Sequence, residues 1–99
     1  MDKMEDKQVF DPAFQAQARL AIMAALISKP TLDFKGLKEI TGTTDGNLST
    51  HTIKLEEWGY LEIKKSFVGR RPHSTYTLTN KGREAFKKYV ETLNNILKR

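Results

Sequence analysis

The chain has 99 residues, 38% of them hydrophobic and 29% charged, with 17 Lys and Arg against 12 Asp and Glu and a formal net charge of +5. That length fits one core rather than two, and a sequence without cysteine excludes disulfides, thiolate metal sites, thiol redox sensing and cysteine nucleophiles. The longest apolar run, Leu20 to Ile27, falls far short of the roughly 20 residues that span a bilayer, and no charged-then-apolar leader opens the chain, so a cytoplasmic protein without membrane contact is expected.

Residues 1–10 begin with MDKMEDKQ, which is polar and mixed in charge, and are expected to form a flexible N-terminus. Asp11-Pro12 supplies an N-cap and a proline at the first helical position. Phe14, Ala18, Ala21, Ile22, Ala25 and Leu26 follow at helical spacing, predicting a first helix that ends near Ser28 before Pro30. Asp33 caps a short second helix, FKGLKEIT, with Phe34, Leu37 and Ile40 three apart and Gly42 as its stop. Thr43-Thr44 caps a third helix from Asp45 to Trp58, anchored inward by Leu48 and Leu55, with Asp45 at the positive end of its dipole. Gly59 ends it. LEIKKSF and STYTLT then alternate apolar and polar residues around a turn marked by Gly69 and Pro72. Thr79 or Asn80 caps a last helix to about Leu97, with an apolar stripe of Ala85, Phe86, Tyr89, Val90, Leu93, Ile96 and Leu97. The expected order is helix, helix, helix, hairpin, helix, without repeats or linkers.

Two short helices joined by a glycine-containing turn, the second with small polar residues on its outward side, make a helix-turn-helix over residues 33–59, and the hairpin of residues 60–79 makes it winged. The predicted class is α+β, mainly α, with three N-terminal helices, a β-hairpin wing and a long C-terminal helix over residues 80–98, all in a single winged-helix domain spanning residues 1–99. With Leu48 and Leu55 inward, Asn47, Thr50 and Lys54 project on the opposite side, flanked by Ser49 and Ile53. Asn bonds an adenine edge, Ser and Thr serve bases or phosphates, Lys reaches phosphate or guanine, and an apolar side chain touches a thymine methyl. The same residues also suit an ordinary solvated helix face.

Charge location separates these readings. Residues 1–34 and 35–60 each sum to −1, whereas 61–79 sum to +3 and 80–99 to +4, so the basic excess begins at the hairpin. Arg70 and Arg71 at its tip have no carboxylate nearby in sequence. One guanidinium fits a narrow minor groove while its neighbour grips phosphate. Lys64 and Lys65 alternate along the ascending strand, so at least one, with Lys65 the candidate contact, points toward the same polyanion; edge-strand lysines also discourage aggregation.

From Thr44 to Phe86 the chain reads TDGNLSTHTIKLEEWGYLEIKKSFVGRRPHSTYTLTNKGREAF. This string resembles the small winged-helix transcriptional regulators related to the MarR and ArsR groups, in their short form with the pattern DGNLSxHxxxLEExGYxxxxKxFxGRRPxTxYxLTxxGRxAF. The resemblance reaches back through LAIMAALI of the first helix. It implies that Thr44 and Asp45 begin the recognition helix, that Asn47, Ser49, Thr50 and Lys54 lie on its DNA side, and that Arg70 and Arg71 sit in the wing. Gly82 and Arg83 match the turn into the last helix, where Arg83 either touches phosphate or is a solvated first-turn residue. Thr43 and Thr52 stand where this group commonly carries larger apolar residues, and Trp58 where a small one is usual, so the packing of the recognition helix is expected to differ, with Trp58 compensating for Thr52 in core or dimer space.

The stripe on the last helix is wider than a lone surface helix needs. Part of it, Phe86, Tyr89, Val90, Leu93, Ile96 and Leu97 together with Phe14, is expected to be buried by a second copy, giving a homodimer that presents two recognition helices to a pseudo-palindromic double-stranded site. His51 and His73 without cysteine make a poor metal set, and no metal or cofactor is expected. His51 suits a hydrogen bond to backbone or phosphate. No phosphate loop, paired carboxylates or nucleophile elbow is present, so enzymatic function is not expected. A small-molecule effector is compatible with such a dimer but no residue indicates one. Three alternatives stay open: a winged-helix protein-interaction adaptor displaying an apolar patch around Ile53, Phe67 or Val68, an architectural DNA binder without sequence preference, and an RNA binder with aromatic platforms.

Overall fold

A computed structural model describes residues 10–98; the expected flexible segment lies outside the described residues except for Phe10, whose ring meets Tyr89 edge-on at 6.2 Å. The chain opens with a 3-10 turn, Pro12–Phe14, followed by α1 (Gln17–Ser28), β1 (Thr31–Asp33), α2 (Phe34–Thr41), α3 (Asp45–Glu57), β2 (Leu61–Val68), β3 (Arg71–Leu78) and α4 (Asn80–Leu97). The three strands form one antiparallel sheet in the order β1-β3-β2. The result is the expected mainly helical winged helix-turn-helix.

The first helix does not run unbroken from Pro12. Asp11 accepts the Ala13 amide at 2.9 Å and starts the 3-10 turn, but the turn's carbonyls are then taken by a side chain. Arg19 donates Nε to Ala13 O at 2.8 Å and Nη2 to Pro12 O at 3.2 Å. The chain therefore restarts at Ala16, an N-cap with extended backbone and no side-chain bond. The break turns Phe14 inward, where it is 3% exposed. It stacks on Tyr60 at 5.7 Å, meets Phe86 edge-on and tilts against Tyr89. Phe14 is thus an internal core residue and has no surface to offer a dimer partner, which corrects its expected role.

The strand β1 was not expected. Thr31, Leu32 and Asp33 pair with Thr77, Tyr76 and Thr75 of β3, and the Leu78 amide donates to Pro30 O at 2.8 Å. Three residues are too few to show a period of two, and Pro30 reads in sequence only as a helix stop. Asp33 then doubles as the N-cap of α2, accepting the Gly36 amide at 2.8 Å. Gly42 closes α2 at φ 69, where the left-handed backbone favours glycine.

The core gathers Ile22, Met23 and Leu26 of α1, Leu37 of α2, Leu48 and Leu55 of α3, and Leu61, Tyr76 and Leu78 of the sheet. Each such side chain withdrawn from water contributes about 1.5–3 kcal/mol. Thr52, 1% exposed, sits among them with its hydroxyl donating to Leu48 O at 2.8 Å and Ser49 O at 3.1 Å. A polar residue is tolerated in the seam because its donor is satisfied by its own helix. The Thr52 hydroxyl therefore needs no other partner, and Trp58 lies half-buried against the core at the end of α3.

A clamp fixes where the sheet returns to the helices. Gly59, at φ 83, turns the chain out of α3. Thr79 donates its hydroxyl to Gly59 O at 2.7 Å, accepts the Gly82 amide at 2.9 Å and gives its own amide to Tyr60 O at 3.1 Å. Gly82 lies so close that an added Cβ would overlap the Tyr60 carbonyl oxygen. The Tyr60 hydroxyl donates to Asp11. Burial, then that bond and the Asp11 charge, push its phenol up to about 12. Gly82→Ala is accordingly expected to destabilise the chain by more than about 2 kcal/mol, because rigid backbone rather than a flexible side chain blocks the methyl; urea unfolding midpoints measure it, and a change below half that size would contradict the clamp.

Candidate nucleic-acid interface

Helix α3 is held by one side only. Leu48, Thr52 and Leu55 are buried, so the residues about half a turn away face solvent. Thr44, Asn47, Ser49, Thr50 and Lys54 are all exposed, and Ile53 is 48% exposed. Thr44 is the N-cap, its hydroxyl accepting the Asn47 amide at 3.2 Å. These expected contact residues therefore share one exposed stretch of helix, with Asn47 and Lys54 on one flank and Ser49 on the other. The ion pair Lys38–Asp45, at 2.6 Å, ties the last turn of α2 to the first turn of α3. Thr41 and Thr43 bond at 3.1 Å across the intervening turn.

Two features of this helix were not read from the sequence. The first is Gly46, on the outward side of the first turn, where an added Cβ would meet nothing within 4 Å. Glycine there weakens the helix by about 1 kcal/mol relative to alanine, and nothing in the fold requires it. Its only sequence signal was a glycine inside a helical window without a turn. The second is Arg19. Besides holding the 3-10 turn, its Nη1 bonds His51 Nδ1 at 3.2 Å, and its guanidinium lies 5.2 Å from the centroid of the Trp58 ring. One α1 side chain thus braces α3 at its middle and its end.

The Arg19 bond requires His51 Nδ1 to be the acceptor, placing the ring proton on Nε2. Burial, reinforced by the charges of Arg19 and Lys54, lowers the His51 pKa from its ordinary 6.5. The partner expected for this histidine was backbone or phosphate; the structure gives it an arginine.

The wing extends beyond the core. β1 pairs only with Thr75, Tyr76 and Thr77, so from Ser74 outward the hairpin is a two-stranded ribbon with both faces open. Lys64, Lys65, Arg70 and Arg71 are all exposed. Among the described residues the only side-chain ion pair is Lys38–Asp45, and none of their carboxylates pairs with these four cations. The wing tip thus offers positive charge without a carboxylate partner among the described residues, and the exposed face of α3 offers side chains suited to base edges.

Helix α4 divides its apolar stripe. Phe86 and Tyr89 are half-buried against Phe14, and Leu93 is half-buried further along. Val90, Ile96 and Leu97 are exposed, Leu97 at 79%. A groove of about 370 Å³ runs between Ile27 of α1 and Phe86 and Val90 of α4, edged by Arg83, Lys87 and Glu91. Among the described residues no helix is long and apolar enough to cross a membrane.

This geometry is that of a winged helix, and the chain belongs to the winged helix DNA-binding domain family, whose model matches residues 18–97. It is 44% identical over 77 residues to an uncharacterized protein of Methanocaldococcus jannaschii, covering 78% of this chain and 84% of that one. Among solved structures it is similar to a transcriptional regulator homologue from Pyrococcus horikoshii, at TM-score 0.84 and 25% identity over 96% of this chain and 95% of that one. It also shares the fold of Bordetella bronchiseptica BpsR, whose DNA binding is regulated by 6-hydroxynicotinic acid, at TM-score 0.74 and 18% identity over 92% and 68% of the two chains. The fold is shared with MarR as well, at TM-score 0.70 and 18% identity over 84% and 60% of the two chains.

Two outcomes follow from α3. Because the folded pKa of His51 is depressed, its contribution to stability is complete above the unfolded value near 6.5 and is lost as pH falls through the folded value. Urea midpoints should therefore drop as pH falls below the ordinary value, and His51→Gln should flatten that drop; an identical profile in the variant would separate His51 from the effect. Gly46→Ala should raise the stability of the free chain by up to about 1 kcal/mol; if the exposed face of α3 meets a duplex, the added methyl, which touches nothing in the fold, should also weaken binding, and unchanged affinity would remove the first turn of α3 from the interface.

Proposed function

We infer that this chain is a homodimeric, sequence-specific transcriptional regulator that places α3 in the major groove of double-stranded DNA and its wing on the adjoining minor groove and phosphates. The observation that carries the inference is the pairing of one exposed helix flank, Asn47, Thr50, Ile53 and Lys54, with a wing tip whose arginines have no acidic partner among the described residues. Asn47 is suited to an adenine edge and Ile53 to a thymine methyl, while Thr44, Ser49, Thr50 and Lys54 reach phosphates or bases from the same helix. Lys65, Arg70 and Arg71 supply the charge that fixes orientation on the duplex. A membrane is no part of this reading, and the residues indicate no effector.

The second copy is supported by α4. Val90, Ile96 and Leu97 continue an apolar surface from the groove beside Ile27 and Phe86, and such a strip on a terminal helix suits a two-fold contact. Phe86, Tyr89 and Leu93 would back that contact from within the subunit. The paired recognition helices would then meet half-sites about one helical turn apart.

Selection of bound sequences from a random duplex library near physiological salt tests the reading. An enriched inverted repeat is expected; retention without enrichment would leave a backbone-driven architectural binder, and no retention would favour a protein-interaction adaptor. On the recovered site Arg70→Ala should lower the slope of log affinity against log salt by about 1. Asn47→Ala should instead relax preference at one base pair by about 1–3 kcal/mol. An unchanged slope, or a uniform loss on all sequences, would reassign the respective residue.

A further inference from the structure

Phe67 has no role in the fold. It is 72% exposed, and its neighbour Val68 is 63% exposed, in a ribbon that no third strand covers. Alternation along β2 places Phe67 on the same face as Leu61 and Ile63, which look toward the helices. Its cross-strand partner is Pro72 and its neighbour on that face is Lys65. On that face the polar Lys65–Ser74 pair separates Phe67 and Pro72 from Ile63 and Tyr76 of the core, so an isolated apolar pair stands near the tip on the helix-facing side of the ribbon. An aromatic ring and a proline stand there, with Lys65 beside them on the same face, Arg70 in the adjoining turn and Lys64 and Arg71 on the opposite face, and with no carboxylate paired to any of these cations among the described residues.

An exposed aromatic surrounded by unpaired cations on a narrow ribbon is poorly suited to an apolar protein partner, which would leave those charges desolvated and unpaired. It suits a polyanion that also offers an apolar slot. The minor groove of duplex DNA is such a surface: phosphates line both rims, and a partly unstacked base step accepts an apolar side chain. We propose that Phe67, backed by Pro72, is a wedge that enters a base step in the minor groove beside the wing and kinks the duplex, while Lys64, Lys65, Arg70 and Arg71 hold the flanking phosphates. The reading rests on duplex binding by the wing and adds to it a deformation of the DNA. Specificity then arises partly at a step that no side chain reads by hydrogen bonding, with easily unstacked pyrimidine–purine steps preferred.

The experiment uses a duplex of roughly 30 base pairs carrying the selected site, long enough to report a bend, with a fluorescence donor and acceptor at its ends. The wild-type chain should raise energy transfer as the ends approach, corresponding to a bend on the order of 20–90°. Phe67→Ala should still bind, roughly ten-fold more weakly, with an unchanged salt slope because no charge is lost and with the bend abolished. Phe67→Trp should keep the bend. Unfolding does not confound the comparison, since the side chain is largely outside the core; equal urea midpoints confirm it. A wild-type complex without a bend, or an alanine variant that bends the duplex fully, overturns the wedge while leaving DNA binding intact. A shift of the alanine variant from dimer to monomer would also overturn it, assigning Phe67 to the contact between copies. Failure of the wild-type chain to bind any duplex overturns the DNA reading itself, and the wedge with it.

Discussion

The buried seam of α3 is the constraint on which the other features depend. Leu48 and Leu55 are fully withdrawn from water, and Thr52 between them closes its hydroxyl on the helix's own carbonyls. A rotation by one residue would bring Ser49 or Ile53 toward the core and expose a leucine, losing several kcal/mol of burial. The helix therefore has one stable azimuth, and that azimuth determines which side chains face out. Arg19 adds a second restraint from α1 by holding His51 and covering Trp58. The outward face is rigid because the inward face cannot turn.

The same seam directs the rest of the chain. Gly59 turns it out of α3, and Tyr60 then serves several elements at once. Its ring stacks on Phe14, its hydroxyl bonds Asp11, its carbonyl accepts the Thr79 amide, and Gly82 packs against that carbonyl. The start of the hairpin, the start of α4 and the 3-10 turn are all referred to one residue adjoining α3. The far part of the hairpin has no such support, so its side chains are free to meet another molecule.

Much of this was legible in the sequence, for identifiable reasons. Thr44, Asp33 and Thr79 are capping residues with the next amides in reach, and caps are local chemistry that spacing reveals. Leu48 and Leu55, seven apart, disclosed the azimuth of α3. What escaped depends on contacts distant in sequence. The strand β1 exists only because β3 accepts it, and the break before Ala16 exists because Arg19 satisfies the carbonyls of the preceding turn. Phe14 fitted a helical stripe, yet the break turned it onto Tyr60. Net charge was also only half informative. The wing's four cations are exposed without an ion-pair partner among the described residues, but Lys81 lies 5.9 Å from the centroid of the Tyr60 ring, and Lys87 and Lys88 are exposed on α4, as on any solvated helix.

Amide mapping by NMR tests most directly whether α3 and the wing form one DNA-facing surface. An isotope-labelled chain titrated with a short duplex should show its largest shift changes over residues 44–54 and 64–71. The amides of α4 beyond Lys87 should stay in place. Changes confined to α4 or α1, or a silent α3 in a complex that nonetheless forms, would contradict that surface and place the nucleic acid elsewhere on the molecule.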